Sequence, residues 1–423
     1  MSGTDAHAST GRPAATPGAS GVQNPGGRSA GFIGMLALVT GVQALSTFTV
    51  LALPTLATRA GPAFGLGPEA VGYQISLVYI AAASLSGVAG LVVRRYGAAF
   101  TSLIALSFSA LGLLGVASGN LVLAILASLV IGMGYGLTNP AASHLLLRFA
   151  PKQRQNLIFA VKQTGVPIGG VVAALMLPPL AERSNWQVAM VAGIGLIVAI
   201  AIPLALSRSR LDDDRSPGAR LSAGPLAGLS LVLAQPLLRA YAIMGFAYAS
   251  FQFCLFAFLV TMLVQDFHWS LVAAGGMASL MQIGGAAGRI AWSMLADRIG
   301  RGAQILLAIG ICSAAAAITI GLAGPSWPAW LLTMVLFVFG FCLVGWNGLW
   351  MAEIARISGP QQVGLATGGV LSFTFSGIVL GPAAFASVYK LLGAYTWTYG
   401  VFSLIALMGA GVLWRELRRQ AKA

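Results

Sequence analysis

Charged residues are scarce in this sequence. Only 8% of its 423 residues are Asp, Glu, Lys or Arg, whereas 57% are hydrophobic. A soluble domain has about a quarter charged residues, so this chain cannot cover itself with an ordinary water-facing surface. The composition excludes a soluble globular protein and indicates a chain whose surroundings are a lipid bilayer.

Cysteine and histidine are also rare, which excludes several kinds of site. The three cysteines, Cys254, Cys312 and Cys342, lie inside apolar runs without a CxxC pair, so we expect no disulfide framework. The chain has only three histidines, too few for a histidine-rich metal centre. No nucleophile–base constellation or nucleotide-binding loop appears. We therefore expect neither an enzyme nor a bound cofactor or metal.

The charges that are present are mostly positive. The sequence has 24 Lys and Arg against 10 Asp and Glu, a net charge of +14. These residues are scattered through short polar segments between apolar runs and do not form one basic face, so we expect no nucleic-acid partner. Basic residues in short loops are typical of the cytoplasmic side of membrane proteins.

Twelve apolar stretches are long enough to cross a bilayer, which takes roughly 20 residues. The pattern predicts an all-α membrane protein with twelve transmembrane helices, and the even count places both termini on one side. The stretches lie near residues 31–55, 70–93, 98–117, 121–146, 155–179, 186–206, 238–263, 271–295, 304–323, 328–351, 362–384 and 394–414.

Two polar segments set the predicted domain boundaries. The first segment is rich in Gly, Ala, Pro, Ser and Thr and has no apolar core, so we interpret it as a disordered tail and not as a signal peptide. The predicted parts are a tail at 1–29, a six-helix bundle at 30–206, a cytoplasmic linker at 207–237, a second bundle at 238–415 and a tail at 416–423.

The basic residues also predict the orientation. With the N-terminus inside, nineteen Lys and Arg fall in inside segments, and only Arg59, Arg183 and Lys390 fall in outside loops. Positive residues concentrate on the cytoplasmic side. We therefore expect a multi-pass protein of the cell inner membrane with both termini in the cytoplasm.

The two halves of the sequence resemble each other. With an offset of 203 residues Gly97 matches Gly300, and with an offset of 208 Asn139 matches Asn347. Within each pair of helices the offset stays constant, and it changes only in loops. Two parallel six-helix halves around a central site are a transporter architecture.

The segment SMLADRIGRGAQIL, residues 293–306, resembles a loop signature of the major facilitator superfamily, G-x-L-A-D-R-x-G-R-R. The first half has a weaker copy, GLVVRRYGAA at residues 90–99, in which Arg94 takes the acidic position. The resemblance implies two pseudo-symmetric six-helix bundles and transport by alternating access. The matching positions of the second half are Leu295, Ala296, Asp297, Arg298, Gly300 and Arg301.

The resemblance implies a cytoplasmic gate at this loop. Asp297 can accept charge-assisted hydrogen bonds from arginine or from a helix N-terminus, and Glu353 and Arg356 are its expected neighbours. A fixed charge cluster that only sets topology is the alternative. Because Arg94 replaces the acid, we expect the first half to lack an equivalent gate. The predicted gate residues are Asp297, Arg298, Gly300, Arg301, Glu353, Arg356, Arg95 and Gly97.

Two cations lie inside predicted spans, Lys162 in the fifth and Arg289 in the eighth. A charge at mid-span costs roughly 2.5–3.5 kcal/mol, so both imply a cavity filled by water or substrate. All ten acidic residues lie in tails, loops or helix ends, and an anionic substrate is the simplest source of counter-charge. The superfamily resemblance implies that the fifth and eighth helices face each other across one central site.

Other polar residues on these and neighbouring helices complete the predicted site. Gln282 lies seven residues before Arg289 and shares its helix face. The alternatives are that Arg289 reaches towards Asp297, that Lys162 extends to the inner surface, and that the remaining residues form interhelical hydrogen bonds. The predicted substrate-binding residues are Arg289, Lys162, Gln282, Gln163, Asn139, Tyr79, Gln252 and Asn347.

The sequence thus predicts a monomeric secondary active transporter for a small anion, with organic carboxylates favoured, and its partners are that substrate and the bilayer. The absence of a buried acid disfavours drug–proton antiport through a membrane carboxylate. The alternative is a carrier of neutral or cationic compounds, including drug efflux, in which Lys162 and Arg289 are structural.

Overall fold

A computed structural model describes residues 25–151, 155–216, 218 and 227–422, and every regular element in these ranges is helical. Eleven of the described helices are long and apolar enough to cross a membrane, and the bent pair Pro68–Ser86 and Val88–Tyr96 makes a twelfth. The predicted all-α fold with twelve spans is confirmed. Most of the predicted tail at 1–29 and part of the linker lie outside the described residues.

We number the spans in chain order. They are α1 Gly31–Thr55, α2 Val71–Tyr96, α3 Ala98–Ala117, α4 Leu121–Phe149, α5 Val161–Arg183, α6 Trp186–Leu211, α7 Pro236–Gln265, α8 Leu271–Ile299, α9 Gly302–Gly321, α10 Ala329–Ser358, α11 Ala366–Leu392 and α12 Tyr395–Gln420.

The first helix starts earlier than the sequence pattern indicates, and the predicted linker contains more helix than expected. The helix that includes α1 begins at Pro25, and proline suits the first position of a helix because its missing N–H has no partner there. In the segment 207–237, α6 continues to Leu211, and a further helix spans Ala227–Ala234.

Besides the bend in α2, two of the described spans are interrupted. The α5 helix is broken at Thr164, between Gln155–Gln163 and Gly165–Arg183. The α10 span consists of the helix Ala329–Leu343 and the start of a long helix, Asn347–Leu392. Interrupted helices expose backbone groups, and membrane proteins tolerate them where they line a cavity.

The repeat that the sequence predicts appears in the side-chain contacts. Ser86 Oγ on α2 donates to the Gly136 carbonyl on α4 at 3.2 Å. At the equivalent positions of the second half, Arg289 Nε on α8 donates to the Val344 carbonyl on α10, also at 3.2 Å. The two residue pairs are related by the offsets 203 and 208. The α2–α4 pair is therefore repeated as α8–α10, as expected for two pseudo-symmetric bundles.

The two halves meet along α2–α11 and α5–α8. We call the end with the turns at Gly97 and Gly300 the arginine-rich end, and the end with the loops at 56–70 and 266–270 the opposite end. These contacts lie towards the opposite end, and there the backbones of the paired helices approach each other closely. Ser76 Oγ donates to the Val379 carbonyl at 2.5 Å.

Glycines allow this close approach between the halves. A Cβ at Gly72 on α2 would overlap the carbonyl of Pro382 on α11, and a Cβ at Gly275 on α8 would overlap the carbonyl of Ala174 on α5. Gly72 and Gly275 are equivalent in the repeat. The same small residue therefore closes both interfaces at the opposite end.

Asp266 follows α7 at the opposite end, and its carboxylate accepts the Thr396 N–H at the start of α12 at 2.9 Å. Burial raises the pKa of Asp266 above its ordinary value, although the hydrogen bonds from Thr396 and Tyr395 act in the other direction. The folded protein therefore holds this proton more tightly than the unfolded chain does. Stability from this group is present at acidic pH and is lost as the pH rises through the folded pKa.

We therefore expect Asp266→Asn to raise the melting temperature at neutral pH, because asparagine keeps the helix cap without a buried charge. The expected gain is about 2 °C, and it should vanish at acidic pH, where the wild-type carboxyl is protonated. Thermal unfolding at the two pH values checks this, with the exposed Asp297→Asn as control. A gain of the same size at both pH values would contradict it.

Candidate functional site

Lys162 is buried, with 2% of its surface exposed. It lies in the last turn before the break in α5, and its Nζ donates to Gln43 Oε1 on α1 at 2.7 Å, to Gln163 Oε1 at 3.4 Å and to Asn139 Oδ1 on α4. All three acceptors are uncharged amide oxygens. No carboxylate of the described residues binds this amine, so its charge is solvated by neutral groups only.

Arg289 on α8 is half-buried. Its Nε donates to the Val344 carbonyl, which the interruption of α10 leaves available. No other described residue accepts a hydrogen bond from the guanidinium, which has five N–H donors. The alternative in which Arg289 reaches Asp297 is not seen, since no ion pair joins the two among the described residues.

Two residues on one turn of α4, Tyr135 and Asn139, interact with the two cations. Tyr135 interacts electrostatically with Arg289, and Asn139, four residues later, binds Lys162. Four residues of helix rise about 6 Å. The same turn of α4 therefore has one side chain that binds Lys162 and another within electrostatic range of Arg289. Tyr79 on α2 packs against Tyr135 with ring centroids 5.4 Å apart.

Two buried amides, Gln43 beside Lys162 and Gln282 on the helix of Arg289, have unused hydrogen-bonding atoms. Gln282 on α8 is 3% exposed and packs over Gly170 on α5, where a Cβ would overlap its amide. Gln282 Oε1 and Gln43 Nε2 have no hydrogen-bond partner among the described residues. Because a buried unpaired polar atom costs about 1–3 kcal/mol, these atoms suit a bound polar molecule.

Three predicted site residues lie apart from the cations. Gln252 Oε1 on α7 accepts from Trp346 Nε1 at 2.9 Å and from Asn347 Nδ2 at 3.3 Å. These contacts fit the alternative of interhelical hydrogen bonds. Tyr79 is enclosed by aromatic rings, including Phe253 at 4.8 Å. The structure brings none of the three into hydrogen-bond contact with Lys162 or Arg289, and their substrate role stays a prediction.

The signature loop lies at the surface of the arginine-rich end. Asp297, Arg298 and Arg301 are exposed, and Gly300 ends α8 with a φ of +69°, a conformation that favours glycine. Asp297 makes no hydrogen bond or ion pair with another described residue. The expected contacts of Asp297 with Glu353 and Arg356 are therefore not formed in this conformation.

Glu353 on α10 takes the position that we expected for Asp297. It is 7% exposed and lies against Gly302, at the start of α9, where a Cβ would overlap its carboxylate. Arg356 donates to Glu353 at 2.7 Å and Tyr241 Oη donates at 3.2 Å. A carboxylate at a helix N-terminus is favourable, so the acid that stabilises α9 comes from α10.

The first half has an acidic contact at the same end, and the expectation that it lacks an equivalent gate stays a prediction. Asp212, directly after α6, accepts the N–H groups of Ala99 at 2.7 Å and Phe100 at 2.9 Å, at the start of α3. Gly97 has a φ of +97°, and a Cβ there would overlap Asp212. Arg95 is exposed and stacks on its neighbour Tyr96.

The next acidic residues extend this contact to α4. Arg148 binds Asp213 at 2.5 Å and Asp214 at 3.1 Å. His144 Nε2 also lies 2.8 Å from Asp214. Sequence reasoning missed this cluster because the acids lie more than 60 residues from their partners. The run of three aspartates directly after a predicted span was the available signal.

We expect Asp212→Ala to lower stability by about 1–2 kcal/mol, because it removes two hydrogen bonds to free N–H groups at a helix start. A melting temperature several degrees lower in detergent would show this. Asp297→Ala is the matched control and should leave melting unchanged. Equal effects of the two substitutions would contradict the assignment of Asp212 as the cap of α3.

No group of three or more His, Cys, Asp or Glu side chains in the described ranges could hold a metal ion. Cys254 and Cys342 are buried, whereas Cys312 is exposed.

Comparison with known families shows one extended match. The model of the Major Facilitator Superfamily matches residues 36–356. An uncharacterized MFS-type transporter of Mycobacterium tuberculosis is 25% identical over 285 residues, which are 65% of this chain and 61% of that protein. A probable 4-methylmuconolactone transporter of Cupriavidus pinatubonensis is 26% identical and covers 64% of each chain. A probable hexose phosphate transport protein of Chlamydia pneumoniae is 24% identical, covering 72% of this chain and 74% of that one.

Solved structures of the same fold cover most of the chain. The nucleoside transporter NupG has a TM-score of 0.71 at 16% identity and covers 90% of this chain and 99% of its own. The E. coli fucose:proton symporter FucP has a TM-score of 0.58 at 15% identity and covers 91% of this chain and 99% of its own. At these identities the likeness concerns the fold.

Proposed function

This chain belongs to the Major Facilitator Superfamily, and we propose that it is a secondary transporter that moves a small anion across the cytoplasmic membrane by alternating access. The main observation behind the proposal is the environment of Lys162. Its amine is buried within a membrane span and, among the described residues, binds only neutral amide oxygens. A buried charge without an opposite charge is strongly unfavourable, and an anionic substrate supplies that charge.

Arg289 provides the second part of the proposed anion site. Its guanidinium has a planar fork of N–H groups that suits a carboxylate, whereas the lysine amine is a compact point charge. Asn139 of α4 binds Lys162, and Tyr135, one turn earlier, is within electrostatic range of Arg289. A substrate carboxylate at this turn would interact with both cations, and the free atoms of Gln282 and Gln43 would bind its remaining polar groups.

The positive-inside rule assigns the arginine-rich end to the cytoplasm. The contacts between α2 and α11 and between α5 and α8 then close the protein towards the outside. We infer that the conformation described here is inward-facing and that transport requires these contacts to open. Both termini lie in the cytoplasm in this arrangement.

The second candidate is a carrier of uncharged compounds. It is favoured by the names of the two structural neighbours, which refer to nucleosides and fucose. The hexose phosphate relative instead refers to an anion. In the uncharged-substrate alternative, Lys162 and Arg289 would be structural, and the Lys162 amine would be held by the amide oxygens of Gln43, Gln163 and Asn139.

A thermal-shift screen of the purified protein distinguishes the two candidates. Benzoate, succinate and nitrate are compared with choline, glucose and uridine. A ligand at 100 times its Kd stabilises by about 2.7 kcal/mol, so we expect one or more anions to raise the melting temperature. The shift should disappear in Lys162→Met and Arg289→Ala and remain in Arg183→Met, which removes an exposed cation from the same helix as Lys162. Stabilisation by uridine, glucose or choline that persists in Lys162→Met would contradict the proposal.

A further inference from the structure

A separate cavity of about 250 Å³ lies in the first half at the opposite end, away from both cations. It is bounded by the end of α1, the loop at 56–70 and the first turns of α2 and α4. Most of its lining is apolar. Representative lining residues are Leu53, Phe64, Tyr73, Gln74, Leu121 and Ile125.

Gln74 is the unpaired polar group of this cavity. It is 8% exposed, and neither its amide oxygen nor its amide nitrogen has a hydrogen-bond partner among the described residues. The other polar side chains of the lining are occupied. Ser128 donates to the Ala124 carbonyl at 2.7 Å, and Tyr73 bonds to Ser387 at 3.1 Å. The cavity therefore suits an apolar molecule that carries a hydrogen-bonding group.

The cavity is partly open, and exposed residues of two spans lie at its edge. Tyr73 on α2 and Leu121 and Ile125 on α4 line the cavity and are 38%, 39% and 41% exposed. Because α2 and α4 span the membrane, the molecules that lie against this opening are lipids. An apolar cavity of roughly 150 Å³ already binds a molecule of the size of benzene, so the space here accommodates part of an acyl chain.

The depth of Gln74 matches the ester groups of phospholipids. The α2 span begins at Val71, directly after the loop at 56–70. Its first turn therefore lies near the boundary between acyl chains and headgroups. Gln74 is three residues from the start of α2, about 4.5 Å along the helix, and ester carbonyls occupy this depth.

We propose that the cavity binds one acyl chain of a membrane phospholipid and that Gln74 Nε2 donates a hydrogen bond to its ester carbonyl. A cation at the mouth suits the phosphate of the same lipid, since the exposed Lys390 lies over the Tyr73 ring, 5.5 Å from its centroid. This lipid site is independent of the anion site, because it involves neither Lys162 nor Arg289.

The repeat suggests the variant that tests the site. The residue equivalent to Gln74 in the second half is Met277, which is buried. Gln74→Met therefore places at this position the apolar residue of similar size that the fold already accepts in the other half. Ala124→Phe fills the cavity from α4, and Gln304→Met makes the same chemical change at an exposed position of the arginine-rich end.

The wild type and the three variants are reconstituted in nanodiscs that contain phosphatidylglycerol with a photoreactive diazirine on one acyl chain. Mass spectrometry then locates the crosslinked residues. We expect crosslinks to be enriched in residues 53–77 and 121–128 of the wild type and of Gln304→Met. In Gln74→Met their yield should fall roughly three- to tenfold, the effect of losing one hydrogen bond, and in Ala124→Phe they should be lost.

Crosslinks spread evenly over all lipid-facing helices of the wild type would overturn the proposal. A yield at 53–77 and 121–128 that is unchanged in Gln74→Met would also overturn it. This second result decides the question even if Ala124→Phe does not fold.

Discussion

Proteoliposomes that contain Lys162→Met or Arg289→Met are expected to take up the anionic substrate no faster than empty liposomes. Each substitution removes a charge that the proposed substrate needs, and no carboxylate in the described part of the chain pairs with either cation. A charge-assisted hydrogen bond contributes about 1.5–3 kcal/mol, so each variant should lose roughly 10- to 150-fold in binding. Uptake of a radiolabelled carboxylate, identified by the thermal-shift screen, measures the effect.

Two control variants separate a loss of binding from a loss of folding. Arg183→Met removes an exposed cation from α5 and should transport normally. Lys162→Arg keeps the charge at the site and should retain part of the uptake, because the same amide oxygens can accept from a guanidinium. Normal uptake by both Lys162→Met and Arg289→Met would show that the two cations are structural.

Gly72→Leu is expected to block the transport cycle by preventing closure at the opposite end. A side chain at Gly72 would collide with the Pro382 carbonyl and the Phe258 ring, so α2 could no longer pack against α11. The uptake rate should fall by more than about tenfold, since an overpacked interface costs roughly 1–3 kcal/mol and closing it is part of each cycle. The equivalent substitution Gly275→Leu should act in the same way.

Spin labels at Ala63 and Ser326, two exposed loop positions of the opposite end, report the separation of the halves. They are introduced as cysteines in a background without the exposed Cys312. The label distance should be longer in Gly72→Leu and Gly275→Leu than in the parent protein. Gly276→Leu is the control, because a Cβ there meets no atom within 4 Å. Equal distances and equal uptake in Gly275→Leu and Gly276→Leu would contradict this role of the glycines.

The sequence was sufficient to predict the helices and the repeat. An apolar run must be about 20 residues long to cross a bilayer, so the lengths and spacings of the runs determine the number of spans. The offset between Asn139 and Asn347 also predicted the relation between the halves. The break of α5 at Thr164 and the interruption of α10 after Leu343 were not among the predictions. Polar and glycine residues do lie at both places, in KQTG at 162–165 and GWNG at 345–348, but the same residue types also occur inside unbroken helices.

The cations of the candidate site were evident from the sequence, but their partners were only partly so. A lysine in a span without an acid requires neutral acceptors, and Asn139 and Gln163 were among the predicted residues that the structure places at Lys162. The contact of Arg289 with Val344 depends on the interrupted helix and has no sequence signal.

The contacts at the arginine-rich end were the least predictable. Glu353 rather than Asp297 lies at the start of α9, and Asp212 caps α3 from a position more than 100 residues away. Which of several nearby acids reaches a helix N-terminus depends on the packing of the helices, and that packing is not encoded in local sequence periodicity.

The most direct test of the account compares a carboxylate with its own amide. The anion with the largest thermal shift and the amide of the same carbon skeleton are titrated into the wild type and into Lys162→Met by isothermal calorimetry. We predict that the wild type binds the carboxylate at least about tenfold more tightly, a difference of about 1.4 kcal/mol, and that Lys162→Met shows no such preference. Equal binding of the two compounds by the wild type, or an unchanged preference in Lys162→Met, would contradict an anion site at Lys162.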